Sequence, residues 1–342
     1  MTERDQTREV VTLDVIAREA AVSTATVSRA LNHPGMLTPA TEQRVRQIAE
    51  RLGYSSNRAA RALSTGKSDL VLLLVPDIAN PFFPRLVRSA QRALIAAGLY
   101  GVLVDTADDP GAEARLIQQI GRNVWGILNM SSRLNGDDLL ELARHQPTVL
   151  INRQAPGIPS VTLDAETGIR AGIDHLLGLG HTAFAYVSGP AVSFSNADRL
   201  RAVRESLDAV AGTSLSVVDP GDSTFDGGVA ATDAVLASGA TAVQVFDDVM
   251  AQGLLHGLLE RQVRVPRDLS IVGCDGALAP SIRGTLATVT LDYERAGAWA
   301  ATTLVSMRQP DGPAAEDATV TGEFLAGDTI GPRPDPTTRR HP

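Results

Sequence analysis

The sequence predicts a small all-α headpiece followed by an α/β core of two parallel-sheet lobes. Three observations predict this. Residues 11–54 carry three short helical patterns, each with one apolar stripe. From Asp69 onward, short apolar strands alternate with amphipathic helices, which is the pattern of parallel sheets covered on both faces. At 342 residues the chain is too long for one ordinary core, and its strand–helix units suffice for two sheets.

The first two helical patterns lie in VTLDVIAREAAVSTATVSRALN, residues 11–32. Leu13, Ile16, Ala17 and Ala20 recur on one face, and Thr12 stands before them as N-cap. The turn Ala20-Ala21-Val22-Ser23 is built of small residues, so two helices can cross closely. Ser23 caps the second helix, whose Val27, Ala30 and Leu31 face inward. Thr24, Ala25, Thr26, Ser28 and Arg29 then point outward. An ordinary exposed face would carry Glu and Lys. This one is short, uncharged at its start and ends in one Arg. Small hydroxyl and methyl groups let a helix approach base edges, and an Arg can grip guanine. The pair therefore reads as a helix-turn-helix whose second helix enters a DNA groove. A third helix starts at Thr38-Pro39, buries Val45, Ile48, Ala49 and Leu52, and stops at Gly53.

Residues 55–68, SSNRAARALSTGKS, hold one large apolar side chain, Leu63, too little to fold alone. A plain linker is the default reading. The sharper reading is a helix that forms only beside its twin from a second subunit and on DNA, with Leu63 wedged between base steps.

In the core, strands are expected at 70–77, 101–106, 126–131, 148–152, 161–164, 183–189, 242–248, 270–275 and 286–292. Helices are expected at 83–97, 111–123, 137–145, 166–179, 196–211, 227–238, 249–261 and 293–307, with a final strand pair near 319–330. Sites in such folds lie at strand carboxyl ends, here Asp77, Asp105, Asn129, Asn152, Asp164, Ser188, Asp247, Asp248 and Asp275. Residues 1–10 and the Pro-rich tail 331–342 are expected to be disordered.

Net charge is −8, yet residues 23–67 carry seven basic against two acidic side chains. A basic head on an acidic body fits a protein that presents one end to nucleic acid. No run of 18 apolar residues and no secretory signal is visible, so the expected location is the cytoplasm, at the nucleoid. A single cysteine, Cys274, excludes an internal disulfide. There is no nucleophile elbow, P-loop or dinucleotide fingerprint, and the six His residues lack metal spacing. No enzyme activity, cofactor or metal is expected.

By these residues the chain resembles the lactose/galactose repressor (LacI/GalR) family. The resemblance rests on the helix-turn-helix stretch, TPATEQRVRQIAERLGY, NRAARALSTGKS, NPFF (80–83), LINR (150–153), residues 161–190, DDVMAQG (247–253) and RVPRDLSIVGCD (264–275). It implies a headpiece at 11–54, a hinge helix at 55–68, and a periplasmic-binding-protein-like core at 69–330. Lobe one would take about 69–163 and 292–318, lobe two about 164–291 and 319–330. It also implies a homodimeric regulator, a repressor, on a near-palindromic operator in double-stranded DNA. Thr24, Ala25 and Arg29 would read bases, with Ser23, Thr26, Ser28 and Asn32 nearer phosphates. Ala59, Ala60 and the wedge Leu63 would form the hinge contact, and Thr12, Asn57 and Arg58 complete the DNA-facing set. Ser56 stands where the family usually has Pro.

The resemblance further implies a sugar-like or nucleoside-like effector between the lobes. Its matching positions are Phe82, Phe83, Asn152, Asp164, Ser193, Ser195, Arg199, Asp247, Asp248 and Asp275. A polyol needs carboxylates and an Arg for paired hydroxyls and an aromatic face for its apolar side. Trp125, Ala202, Ser223, Asp247 and Leu291 depart from the family pattern, which implies an unusual lining. The alternative is a solute-binding module with no transcriptional role.

Overall fold

The computed structural model describes residues 11–32, 35–54, 68–278, 285–308 and 316–335. The chain divides into two compact units between Ser68 and Asp69.

The first unit holds α1 (Leu13–Ala20), α2 (Thr24–Asn32) and α3 (Pro39–Arg51). Ile16, Ala17, Ala20, Val27, Ala30, Val45 and Ala49 form its buried centre, as the helical periodicity requires. Ala21 adopts the left-handed conformation, and its N–H closes α1 on Ala17 and Arg18 carbonyls. Ser23 Oγ accepts the Thr26 N–H at 3.1 Å, the expected cap of α2. Thr12 precedes α1 with extended backbone but makes no side-chain cap; its carbonyl alone starts the helix.

The second unit begins with β1 (Leu70–Val75), α4 (Phe82–Ala96), β2 (Tyr100–Asp105), α5 (Pro110–Ile120), β3 (Gly126–Met130), α6 (Gly136–His145), β4 (Thr148–Ile151) and β5 (Ser160–Asp164). It continues with α7 (Glu166–Gly178), β6 (Ala183–Val187), α8 (Phe194–Asp208), β7 (Ser214–Val218), α9 (Phe225–Ala230), α10 (Thr232–Ala237), β8 (Ala242–Val245), α11 (Asp248–Glu260) and β9 (Ser270–Val272). It closes with β10 (Thr288–Thr290), α12 (Tyr293–Ser306), β11 (Ala318–Thr321) and β12 (Glu323–Leu325).

Lobe one is a six-stranded parallel sheet in the order β11-β5-β4-β3-β1-β2. Its central strands are apolar on both faces because helices cover both. Lobe two is a four-stranded parallel sheet, β7-β6-β8-β9, flanked by the antiparallel pair β10 and β12. The chain passes between lobes after Asp164, between β10 and α12, and at Gly322, whose N–H bonds the Asp164 carbonyl at 2.7 Å.

Four sequence expectations change. Strand β7 went unforeseen, since Ser214 and Ser216 break its apolar run; it is an edge strand with one face partly wet. The helix expected at 227–238 is two, α9 and α10. The final strands do not pair with each other: β11 joins β5 in lobe one up to Thr321, beyond the expected boundary at 318, and β12 joins β10. Residues 331–335 are anchored, not loose: the Gly331 carbonyl accepts from Ser270 Oγ and meets the His181 ring, and the Arg333 N–H bonds the Leu179 carbonyl at 3.0 Å.

Helices α9 and α11 meet backbone to backbone. A Cβ built on Gly253 would lie 1.9 Å from the Phe225 carbonyl oxygen and 3.1 Å from Gly228 Cα. Gly253→Ala therefore forces these helices apart. It should lower the stability of the full chain in urea unfolding by about 1–3 kcal/mol, the usual cost of overpacking. An unchanged midpoint would show that the pair can slide.

Candidate functional site

On the headpiece, Ser23, Thr24, Ala25 and Arg29 are exposed, and Thr26 and Ser28 are half-buried. They share the outer side of α2, opposite buried Val27 and Ala30. Thr12 is also exposed. Ser23 Oγ also bonds Thr26 Oγ1 at 2.9 Å, so these two hydroxyls are oriented before any partner arrives. The side chain of Asn32, and Asn57, Arg58, Ala59, Ala60 and Leu63, lie outside the described residues.

The core's cleft opens between the carboxyl ends of the two sheets, where such folds place ligands. It encloses a cavity of about 40 Å³, room for a few water molecules. Phe82 and Phe83 enter it from the start of α4, edge to face with centroids 4.7 Å apart. Asn152 follows β4 with φ at +56° and donates from Nδ2 to Ser195 Oγ at 2.8 Å across the cleft. Ser193 caps α8 by accepting the Asn196 N–H. Arg199 follows six residues on and is 5% exposed. Its guanidinium donates to the Phe246 carbonyl and to Asp275 Oδ1, the latter at 2.6 Å.

Burial works most strongly against the Arg199 charge, but the Asp275 carboxylate and the further acidic groups of Cys274, Tyr186 and Asp247 together outweigh it and hold the guanidinium above its ordinary pKa. Asp247 stands one hydrogen bond behind the lining and accepts from Asn80 Nδ2 at 3.0 Å and from the Met250 N–H at 2.8 Å. Burial, then the neighbouring Asp275 carboxylate, pushes its carboxyl up to about 7.

Phe82, Phe83, Asn152, Ser193, Ser195, Arg199 and Asp275 thus converge on one cavity. Three expected residues do not: Asp247 stands behind the lining, and Asp164 and Asp248 serve elsewhere. Asp164 turns back onto its own chain and accepts from Thr167 Oγ1 at 2.6 Å, because the following α7 needs a capping acceptor. Asp248 is a brace: its Oδ1 accepts from Thr288 Oγ1 at 2.6 Å, tying α11 to β10. Among the departures from the family pattern, Ser223 lines the cavity. Trp125 instead packs against the lobe-one core under the Arg308 guanidinium, Ala202 is buried in lobe two, and Leu291 is buried in the lobe-one core.

Sequence reading missed Asn80, Asp108, Ser131, Arg133 and Phe246, which also line the cavity. Arg133 lies just past the carboxyl end of β3, so a search extended beyond each strand end would have found it. Among the described residues, no helix is long and apolar enough to cross a membrane, and no group of three His, Cys, Asp or Glu side chains could hold a metal ion.

Residues 12–57 match the lacI family of bacterial regulatory proteins, and residues 173–330 match the periplasmic binding protein-like domain. Catabolite control protein A of Priestia megaterium is 32% identical over 290 residues, covering 82% of this chain and 87% of that protein. The chain belongs to the LacI family. The Lac repressor dimer bound to operator and the anti-inducer ONPF shares the fold, with a TM-score of 0.83 at 24% identity, covering 94% of this chain and 100% of that one. A LacI-family regulator of Enterococcus faecium with bound ribose is 26% identical, with a TM-score of 0.68, covering 77% of this chain and 99% of that one. These relatives are regulators rather than enzymes, and this LacI-family member joins a helix-turn-helix headpiece to a two-lobed core of parallel sheets.

The brace at Asp248 has a pH signature. Burial pushes its carboxyl up to about 7, against the Thr288 hydrogen bond, and the Asp275 and Asp247 carboxylates add to the rise. A carboxyl raised in the folded state favours folding while protonated. That contribution is complete below the unfolded carboxyl pKa of about 3.9 and is lost as pH climbs through about 7. Asp248→Asn keeps an acceptor for Thr288 and carries no charge. Its melting temperature relative to the parent should therefore be higher at pH 8 than at pH 5. A difference that is flat across this range would contradict the buried-carboxylate reading.

Proposed function

We propose that this LacI-family regulator acts in the cytoplasm, at the nucleoid, as a homodimeric transcriptional repressor. It binds a near-palindromic operator, and a sugar-like or nucleoside-like molecule in the core cleft modulates that binding. The single observation that carries the DNA reading is the exposed face of α2, with Thr24, Ala25 and Arg29 beside the capped Ser23–Thr26 turn. Such a face can reach base edges, and its hydroxyls can meet phosphates. Thr24, Ala25 and Arg29 are assigned to bases, and Ser23, Thr26, Ser28, Asn32 and Thr12 to the backbone. Residues 55–68 are assigned to the hinge, with Leu63 as the wedge in the minor groove.

The effector reading is supported by the buried Arg199–Asp275 pair beside Phe82 and Phe83. A guanidinium and a carboxylate side by side can donate to and accept from adjacent hydroxyls, while the rings cover an apolar face. The ribose-bound E. faecium regulator supports the same reading. Ligand affinity for one arrangement of the lobes shifts the population toward it, and the operator senses that shift through the hinge.

Selection of bound fragments from genomic DNA, with and without a panel of sugars and nucleosides, tests both parts. A recovered palindrome whose binding changes with one compound is expected. No recovered palindrome would favour a solute-binding module. Arg29→Ala should lose about 1–3 kcal/mol of discrimination at one base pair in each half-site, measured on matched and mismatched operators. Equal discrimination before and after would remove Arg29 from the base-reading set.

A further inference from the structure

The cleft carries a second guanidinium–carboxylate pair, on the lobe-one wall. Arg133 follows β3, and its side chain is 7% exposed. Its Nε donates to Asp108 Oδ1 at 2.8 Å, Nη2 lies 2.7 Å from the same oxygen, and Nη1 donates to the Ser131 carbonyl at 3.0 Å. Arg199 on the opposite wall repeats the pattern, with one backbone carbonyl (Phe246) and one carboxylate oxygen (Asp275 Oδ1). Both pairs line the same cavity. In both, the carboxylate residue holds a left-handed backbone, with φ at +55° for Asp108 and +102° for Asp275.

Lobe one invests structure in this second pair. Glu113, 1% exposed, accepts from Asn129 Nδ2 at 2.8 Å, from Ser132 Oγ at 2.5 Å and from the Arg133 N–H at 2.9 Å, which clamps the loop that carries Arg133. Asp105 accepts the N–H groups of Ile78 and Ala107, which fixes the turn leading to Asp108. Ser131 holds φ at +53°, a conformation that costs a non-glycine residue energy and persists where the surroundings enforce it.

We infer that Arg133 and Asp108 form a diol-reading subsite on lobe one, facing the Arg199–Asp275 subsite on lobe two. This rests on the proposal that the cleft binds a small effector, and it narrows that effector's class. By donor count, each terminal nitrogen of Arg133 keeps one further N–H, and Asp108 keeps Oδ2. Two adjacent hydroxyls can accept from the first and donate to the second. A ligand that satisfies both walls needs diols at two ends. A free pentose or hexose has them, whereas a nucleoside offers one ribose diol and a base. The subsite therefore selects free sugars over nucleosides.

The test is calorimetric titration of the full chain with D-ribose, D-xylose, D-glucose, D-galactose, adenosine and cytidine. It is repeated on Arg133→Lys, Asp108→Asn and Arg199→Lys, with thermal melts confirming that each variant folds. One of the sugars should bind, and no nucleoside should match it. Arg133→Lys should weaken that sugar by about 10- to 100-fold, the range for losing hydrogen bonds to a charged group, because an ammonium cannot reproduce the planar fork. It should also narrow the parent protein's preference for the sugar over one of its monodeoxy analogues, which a merely structural role would not do. A sugar weakened by Arg199→Lys but untouched by both lobe-one variants would overturn the subsite and leave the effector reading standing. A nucleoside that binds best would do the same. No binding by any of the six compounds would overturn the effector reading and the subsite with it.

Discussion

Arg199 and Asp275 are each almost wholly hidden from water, and neither could stay there alone. A lone buried guanidinium cannot shed its proton, and a lone buried carboxylate would protonate. Their contact at 2.6 Å answers both demands, and several features of lobe two follow from it. Ser193 must cap α8 so that Arg199, six residues on, arrives at the strand ends. Asp275 must leave β9 with a positive φ to aim its carboxylate inward. Asp247, close behind, is pushed toward neutral pH by its burial and then by the Asp275 charge. Removing either partner would strand the other, which makes the pair an organising constraint more than a source of net stability.

The cleft is assembled by strained strand ends. Ser131, Asn152 and Asp275 are non-glycine residues with positive φ, and all three line it. Left-handed backbone at the end of a parallel strand turns the next side chain across the sheet edge, where an extended residue would point along it. The compensation is local: Ser131 accepts from Asn152, Asn152 reaches Ser195, and Asp275 holds Arg199. Strain of this kind, held by its neighbours, fits a site whose polar groups are set before a ligand arrives. The direct bonds Asn152–Ser195 and Asn80–Asp247 also join the two walls, so a sugar-sized ligand enters only as the lobes part.

Local periodicity made most of the architecture legible. The stripe Ile16, Ala17, Ala20 could bury only as a helix, and Val27 with Ala30 could only face it. The run LVLLLV had to be a strand covered on both faces. Where apolar periodicity weakened, the reading failed: Ser214 and Ser216 concealed an edge strand, the helix break at Ala231 went unseen, and Gly228 concealed a close crossing. The candidate site was partly legible for a related reason. Strand-end position picked out Asn152 and Asp275, which line the cavity, but it gave equal standing to Asp164 and Asp248, which cap and brace. Trp125 looked like a lining change and proved to be a core residue at the opposite end of its strand.

What the sequence by itself determined was the set of elements and the chemistry available at their ends. Helix and strand periods depend on neighbours within a few positions, and those are written in order along the chain. Which carboxylate meets which guanidinium depends on contacts between residues far apart in sequence, such as Arg199 with Asp275 and Arg133 with Asp108. It also depends on backbone angles at single positions, where Ser, Asn and Asp hold conformations their identities only permit. The pairing of β11 with β5, and of β12 with β10, was decided the same way. Short strands carry too little local signal to name their partners, so the folded sheet chose them.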